Sequence, residues 1–242
     1  MLYQLSYVGA PAGGHPARGQ AEDSARRHIA AALDLRDTRF VRLHVIPFST
    51  NVERVLLALA FKGLDAEIVV HDPDRRPGIL AVSGQHLVPV LEDDGAVISD
   101  STAILRHLEA THPNPALWPT APARSAEADV FVDWFNRIWK RPPNLIDDGD
   151  RDPELVAELH GSLELFEALL AGRDHLLSDG FGVADTIAFP FLKYGDAAMY
   201  DPDDDESFHR VLIDHLAFGD NHPRLRAWVK RVDAMPRAGG RD

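Results

Sequence analysis

The stretch Leu87–Ser101, LVPVLEDDGAVISDS, predicts two short strands, a tight turn and the start of a helix. Apolar runs lie on both sides of Asp93-Asp94-Gly95, and an Asp-Gly pair between such runs is typical of a β-hairpin. Pro89 lies inside the first run, where it removes a backbone donor that a central strand would use. Because local rules are most often broken at binding sites, Pro89 indicates a functional backbone here.

The residues before this hairpin predict a β-α-β unit. Arg42–Ile46 and Ala66–Val70 each have the apolar character of a short strand. Between them lies a helix that ends at Gly63, with apolar residues at helical spacing: Val52, Val55, Leu56 and Leu59. A helix between two strands predicts parallel pairing through a right-handed crossover. The first half therefore reads β-α-β, a connection, then β-β-α.

The second half of the chain predicts helices only. Four prolines between His112 and Pro122 predict a linker. Ser125–Lys140 predicts one helix, and further apolar patterns with a helical period continue to Val232. We therefore predict a disordered extension over 1–40, an α/β domain over 41–112, a linker over 113–122 and an all-α domain over 123–242.

The composition limits the classes of function. The chain of 242 residues is 45% hydrophobic, which is enough to form a core, and its formal net charge is −13. A negative chain is not expected to bind nucleic acid or anionic membranes. We see no membrane-spanning run and no secretory signal, and therefore expect a cytoplasmic protein. The chain has no cysteine, so any thiol in its chemistry must come from a ligand.

Three motifs resemble those of the cytosolic glutathione S-transferase superfamily. Gln85–Leu105 is similar to its cis-proline and acidic-Ser signature, Phe181–Leu192 to the start of its core helix, and His222–Ala238 to its closing helix. The resemblance covers roughly 41–238 and is closest to serine-type, zeta- or theta-like members. It implies a fold of class α/β + all-α: a thioredoxin-like domain with a cis-proline, followed by a helical bundle.

The resemblance also implies a glutathione site. The Val88–Pro89 bond is expected to be cis, so that the Val88 backbone can pair with the bound tripeptide. Asp100 would bind the α-ammonium of the γ-glutamyl group, while Ser101 and the amides of a helix N-terminus would bind its carboxylate. His86 would contact the far end of the tripeptide. Asp100 and Ser101 are also ordinary helix-capping types.

Ser49 is the catalytic candidate, because it falls where serine-type classes keep the hydroxyl that stabilises the thiolate. A free thiol has a pKa near 8.5, and a hydroxyl donor at a helix N-terminus lowers it. Thr50 is the alternative, and a mere helix cap is a third reading. Asn51 falls where some bacterial classes carry cysteine.

The expected reaction adds glutathione to a small apolar electrophile, with no metal. Six aromatic residues are candidates for the electrophile pocket, of which we expect a few to line it: Phe48, Phe131, Trp134, Phe135, Trp139 and Tyr194. The alternatives are a glutathione-dependent isomerase or dehalogenase of zeta or theta type, and a non-catalytic ligand-binding member. The family also implies a homodimer and a role in detoxification.

Overall fold

A four-stranded mixed sheet forms the centre of the first half. The computed structural model describes residues 41–178 and 180–240, so the predicted extension over 1–40 lies outside the described residues. The strands are β1 (Val41–Val45), β2 (Ala66–Val70), β3 (Val90–Asp93) and β4 (Ala96–Ser99), in the order β2-β1-β3-β4. β1 runs parallel to β2, as predicted, while β3 is antiparallel to β1 and β4.

Three helices accompany the sheet: α1 (Thr50–Phe61), α2 (Pro77–Ser83) and α3 (Ser101–Thr111). α1 is the crossover between β1 and β2, and its apolar face is fully buried because Val55, Leu57 and Leu59 pack into the core. The sheet with its helices has the thioredoxin-like arrangement that the sequence predicts. Its α1 and α3 both begin at the end of the sheet where β1 and β4 finish, which brings their N-termini close to the loop before β3.

The hairpin between β3 and β4 forms as predicted. Asp94 and Gly95 both have positive φ, 48° and 80°, which a two-residue turn of this kind requires. The Val88–Pro89 peptide bond is cis, also as predicted. Because β3 begins at Val90, Pro89 stands just before the strand and removes no donor from the sheet.

The second half is helical. Its elements are α4 (Pro122–Trp134), a π-helical segment (Phe135–Trp139), α5 (Arg141–Asp147), α6 (Pro153–Leu169), α7 (Val183–Leu192) with a 3₁₀ turn (Lys193–Gly195), α8 (Ser207–His215) and α9 (Pro223–Asp233). The helix predicted over Ser125–Lys140 is therefore helical up to Trp139, but its last turn is π-helical rather than α-helical. The Lys140 amide donates to the carbonyl of Phe135, five residues back, at 3.0 Å. Pro142 and Pro143, which lack N–H donors, lie in the first turn of α5, where prolines are tolerated.

A single apolar core extends from the sheet into the helical half. Asp185 near the start of α7 lies in it with no exposed surface. Its carboxylate accepts hydrogen bonds from the amides of Gly182 (3.0 Å) and Leu176 (3.1 Å) and from the Trp228 indole (2.7 Å). These bonds satisfy a buried acid that would otherwise be costly, so Asp185 has a structural role.

The end of the described chain returns to α1. Glu53 on α1 forms ion pairs with Lys193 (2.6 Å) and with Arg237 (3.0 Å), and the Ala238 amide donates to the Leu56 carbonyl at 3.1 Å. Burial opposes the charge of Glu53, yet the two cations hold the pKa of its carboxyl below the usual value. The first helix is thus attached to the last segment of the described chain.

Candidate active site

A cavity of about 670 Å³ lies between the start of α1, the loop before β3, the start of α3 and the π-helical segment. Four of the predicted binding residues line it: Val88, Pro89, Asp100 and Ser101. The others are Asn51, Arg54, Gln85, Leu87, Ser99, Thr102, Asp133, Asn136, Arg137 and Lys140. The structure therefore brings the cis-proline loop and the acidic-Ser pair to one place.

Asp100 is both a cap and a strained residue. Its Oδ1 accepts hydrogen bonds from the amides of Thr102 (2.9 Å) and Ala103 (3.0 Å) at the start of α3. Its φ of 76° is a conformation that residues other than glycine rarely adopt, and such strain concentrates at functional sites. Two of the first-turn amides are thus already occupied by the cap. The Asp100 side chain is exposed and carries a negative charge to the cavity.

Ser101 is held by an arginine from α1. The Ser101 hydroxyl, in a residue only 3% exposed, accepts a hydrogen bond from Arg54 Nη1 at 3.3 Å. The same Nη1 donates to Asn136 Oδ1 (3.0 Å), and Nε donates to the Ile187 carbonyl (3.0 Å). Burial lowers the pKa of Arg54 to about 9, with Asp100 opposing the shift. The sequence analysis did not select Arg54, because the residue lies in the middle of an amphipathic helix.

Gln85, rather than His86, reaches the cavity. The side chain of Gln85 donates to the Leu87 carbonyl at 2.8 Å and accepts a hydrogen bond from the Leu87 amide. These contacts fix the loop that precedes Val88. His86 is exposed and does not line the cavity, and its carbonyl accepts from Arg76 Nη1 at 3.2 Å. Of the loop residues from 85 to 89, only His86 does not line the cavity, which the motif alone did not reveal.

Lys140 contributes a second cation to the same wall. Its ammonium Nζ lies 3.4 Å from Asn51 Oδ1 and 4.9 Å from the centre of the Phe191 ring. Burial is the main cause that lowers the pKa of Lys140 to about 7; the positive charge of Arg54 acts in the same direction and Asp100 against it. The sequence placed Lys140 at the end of a regular helix, with no functional role.

Ser49 and Thr50 line a second cavity, of about 290 Å³. This cavity shares Asn51, Leu87 and Val88 with the first, so the two are neighbours. Ser49 is the N-cap of α1, and its hydroxyl accepts a hydrogen bond from the Val52 amide at 3.4 Å. The cap uses the oxygen as an acceptor, which leaves the hydroxyl proton available as a donor.

A third cavity, of about 520 Å³, shares Phe48, Ser49 and His209 with the second. On its wall the Tyr194 hydroxyl lies 3.0 Å from His209 Nε2, and His209 Nδ1 lies 2.7 Å from Asp204 Oδ2. This Tyr–His–Asp chain was not predicted, because Asp204 comes from an acidic loop that gives no structural signal. Phe48 is 41% exposed and presents an apolar ring at the junction.

The aromatic candidates require a correction. Only Phe48 and Tyr194 line any of these three cavities. The other four, Phe131, Trp134, Phe135 and Trp139, pack in or against the core around Phe166. For example, the rings of Phe135 and Trp139 stack with their centres 4.4 Å apart. The helical spacing of these four residues correctly indicated a buried helix face, but that face packs against other helices of the bundle and does not border a pocket.

Within residues 41–178 and 180–240, no three His, Cys, Asp or Glu side chains form a group that could hold a metal ion. None of the helices in the same part of the chain has the length and apolar character needed to cross a membrane. The first cavity combines a backbone edge at Val88, the N-terminus of α3 and the two cations Arg54 and Lys140.

Both halves of the chain match families of known proteins. The glutathione S-transferase N-terminal domain model matches residues 43–116, and the C-terminal domain model matches residues 131–231. Glutathione S-transferase GstB of Escherichia coli (strain K12) is 32% identical over 166 residues, which cover 60% of this chain and 77% of the relative. Maleylacetoacetate isomerase of Pseudomonas aeruginosa is 31% identical over 169 residues, or 63% of this chain and 80% of the relative.

The solved structures agree on the architecture. The tau-class glutathione S-transferase from mango superposes with a TM-score of 0.67 at 21% sequence identity, covering 81% of this chain and 90% of that one. Such a match shows the shared fold. Since the two domain models match in order and relatives exceed 30% identity over most of their length, the chain belongs to the glutathione S-transferase family.

Proposed function

We propose that this protein is a glutathione transferase that binds glutathione in the first cavity and adds its thiolate to an electrophile held in the second. The observation that carries the proposal is the junction of the two cavities at Asn51, Leu87 and Val88. A sulfur atom at that junction would be reachable from a neighbouring pocket. Proximity of two bound reactants removes much of the entropic barrier to a bimolecular step.

The binding roles follow from the chemistry of each wall. The Val88 backbone, which precedes β3 and lines the first cavity, offers a strand edge to a cysteinyl backbone. The Asp100 carboxylate offers a partner for the α-ammonium of the γ-glutamyl group. The Ser101 hydroxyl and the first amide of α3 offer donors for its α-carboxylate. Gln85 holds the loop that presents Val88.

The catalytic role is assigned to Ser49, with Thr50 as the alternative. A hydroxyl that donates to sulfur favours the thiolate over the thiol, and the positive end of the α1 dipole acts in the same direction. Ser49 lines the second cavity at the helix N-terminus while its oxygen caps the helix. Thr50 lines the same cavity but is only 7% exposed, which favours Ser49 as the donor.

The test combines binding and turnover. Calorimetry with glutathione and with S-methylglutathione measures affinity with and without a free thiol. A turnover assay with 1-chloro-2,4-dinitrobenzene then measures transfer. We expect both ligands to bind and the arylated glutathione to accumulate. Absence of binding overturns the proposal, whereas binding without turnover of several electrophile classes supports the non-catalytic reading.

Glutathione-dependent isomerisation is the second candidate. The observation in its favour is the 31% identity to a maleylacetoacetate isomerase over 80% of that relative. In isomerisation glutathione adds to the substrate and is released again, so none is consumed, whereas transfer consumes one glutathione for each product. Measuring free thiol during turnover of a cis-enedione acid and of an aryl halide separates the two reactions. A dehalogenase of theta type would release halide from an alkyl halide.

The assembly and setting are also part of the proposal. By analogy with the family we propose a homodimer in the cytoplasm that acts in detoxification on small apolar electrophiles. The negative charge of the chain argues against nucleic acid as a partner. Light scattering across micromolar concentrations tests the dimer, and a mass equal to one chain throughout that range would contradict it.

A further inference from the structure

Within residues 41–178 and 180–240, two cations on the wall of the first cavity have no anionic partner. Among the described residues, neither Arg54 nor Lys140 lies within ion-pair distance of a carboxylate. Arg54 is 1% exposed, and its Nη2 makes no hydrogen bond. Lys140 is partly buried and has one long hydrogen bond, to Asn51 at 3.4 Å.

Such an arrangement is costly in the free protein. Buried charges are usually paired, because their lost hydration is otherwise not replaced. Here Arg54 donates hydrogen bonds to neutral acceptors, the hydroxyl of Ser101 and the side-chain oxygen of Asn136. The ammonium of Lys140 lies over the face of the Phe191 ring. Neither cation has a direct ionic partner in the described part of the chain, so an anionic group bound beside them would supply one.

The position of Lys140 indicates which anion. Its ammonium contacts Asn51, one of the three residues at the junction of the two cavities. Asp100 and Ser101 belong to the first cavity alone, and they account for the charged γ-glutamyl end of glutathione. The ligand group that must stand at the junction is the sulfur, because only there can it reach the electrophile cavity.

We propose that the Lys140 ammonium is a further catalytic group, which binds the thiolate sulfur of glutathione and stabilises it as a counterion. This role rests on the proposed glutathione transferase function and adds an ionic partner to the hydroxyl of Ser49. Glutathione loses its thiol proton and the electron pair stays on sulfur. The proton passes to the amine of Lys140 when that amine is neutral, and to solvent when it is already an ammonium ion. The sulfur then forms a bond to carbon.

The electrostatic surroundings fit this role. Two charged groups face Lys140 closely: Arg54 from α1, which disfavours its protonated form, and Asp100 before α3, which favours it. Asp133 and Arg137 lie on the rim of the cavity and approach each other to 3.9 Å. Phe191 on α7 presents an uncharged ring. With its pKa lowered to about 7, mainly by burial, Lys140 is poised to gain a full charge when a thiolate arrives.

The experiment compares Lys140→Met and Lys140→Arg with the wild-type protein. The ultraviolet absorbance of the thiolate, followed against pH, gives the pKa of the bound thiol. We expect Lys140→Met to raise this pKa by about one unit or more and to lower turnover near neutral pH about tenfold, which corresponds to the loss of one good charge contact. Lys140→Arg keeps the charge and should restore most of both. Lys140→Gln serves as a second neutral variant if the methionine variant does not fold.

Two controls separate the possible roles. S-methylglutathione carries every charge of glutathione except the thiolate, so Lys140→Met should leave its affinity unchanged. An equal loss of affinity for both ligands would show that Lys140 binds a carboxylate instead, and would overturn the proposal. Lys230→Met on α9 removes an exposed lysine and should change neither readout. A wild-type protein that binds no glutathione overturns the proposed function as well, whereas normal binding and turnover in Lys140→Met overturns only the role of Lys140.

Discussion

The guanidinium of Arg54 on α1 donates a hydrogen bond to the hydroxyl of Ser101, the first residue of α3, at 3.3 Å. From the same side chain, bonds reach Asn136 in the π-helical segment and the Ile187 carbonyl in α7. One residue therefore joins three walls of the first cavity to the core. The mutual position of these walls should depend on a planar group with several donors in fixed directions.

Arg54→Lys tests this relationship. The substitution keeps the positive charge but replaces the planar fork by a single ammonium, which cannot serve all three acceptors in the same geometry. We expect the free energy of unfolding to fall by about 1–3 kcal/mol, since buried acceptors lose their partners. Urea denaturation measures the change. Arg210→Lys, on the exposed Arg210–Asp214 pair of α8, is the matched control and should be nearly neutral. Equal losses in both variants would contradict the role of Arg54.

Asp100→Asn separates the charge of Asp100 from its capping role. The amide oxygen can still accept from the amides of Thr102 and Ala103, but the negative charge is lost. Because a charge-assisted hydrogen bond contributes about 1.5–3 kcal/mol, glutathione affinity measured by calorimetry should fall roughly tenfold or more. Asp100→Ala should show the same loss of affinity and, in addition, lower stability by about 1 kcal/mol, because the cap is also removed.

Asp152→Ala provides the control for capping alone. Asp152 caps α6 by accepting from the Glu154 amide at 2.9 Å, and it lines neither cavity of the proposed site. Its loss should lower stability by about 1 kcal/mol and leave glutathione affinity intact. If Asp100→Asn binds glutathione as tightly as the wild-type protein, Asp100 is only a helix cap.

Ser49→Ala should affect the thiolate rather than binding. At low pH, where the sulfur stays protonated, glutathione affinity should barely change. The pKa of the bound thiol should rise by about one unit if the hydroxyl favours the thiolate by about 1.4 kcal/mol, and turnover near neutral pH should fall with it. Thr50→Val, which preserves shape, is the companion variant. If Ser49→Ala leaves the pKa of the bound thiol unchanged and Thr50→Val raises it, Thr50 rather than Ser49 is the hydroxyl that stabilises the thiolate.

Lys140 should also give stability a distinctive pH dependence. Its pKa is lowered to about 7 in the folded chain, while an unfolded lysine titrates near 10.4. Between these values the unfolded chain binds one more proton, so the free energy of unfolding rises with pH in this window. Below about pH 7, Lys140 is protonated in both the folded and the unfolded chain, and the cost of burying its charge is fully present. The stabilities of wild type and Lys140→Met without glutathione should therefore differ most below about pH 7 and converge as the pH rises toward the unfolded pKa of lysine. A constant difference would contradict the lowered pKa.

Much of the first half was predictable because its signals are local. The Asp-Gly turn, the apolar periodicity of α1 and the position of Pro89 each depend on a few adjacent residues. The acidic-Ser pair at the start of α3 was found in the same way. For such features, backbone preference and hydrophobic pattern agree with the tertiary structure.

The cations of the cavity could not be predicted in this way. Arg54 and Lys140 are 86 residues apart and come to one cavity because side chains of α1 hydrogen-bond with Asn136 and with Lys140 itself. An α-helix that continued to Lys140 would point the Lys140 side chain in a different direction. The only local sequence signal for the π-helical segment is the pair of prolines that follows it, Pro142 and Pro143. Among the aromatic candidates, the four in the core could not be told from pocket residues, since helical spacing shows that a face is buried but not what covers it.

The contacts that attach α1 to the end of the described chain have a consequence for biosynthesis. Glu53 and Arg237 are separated by 184 positions, so α1 leaves the ribosome long before its ion-pair partner exists. Until then, the carboxylate of Glu53 and the carbonyl of Leu56 lack the contacts that Arg237 and Ala238 supply. The helix that carries Ser49, Asn51 and Arg54 therefore reaches its final support only after Arg237 and Ala238 have left the ribosome, and a nascent chain cannot hold the finished site before that point.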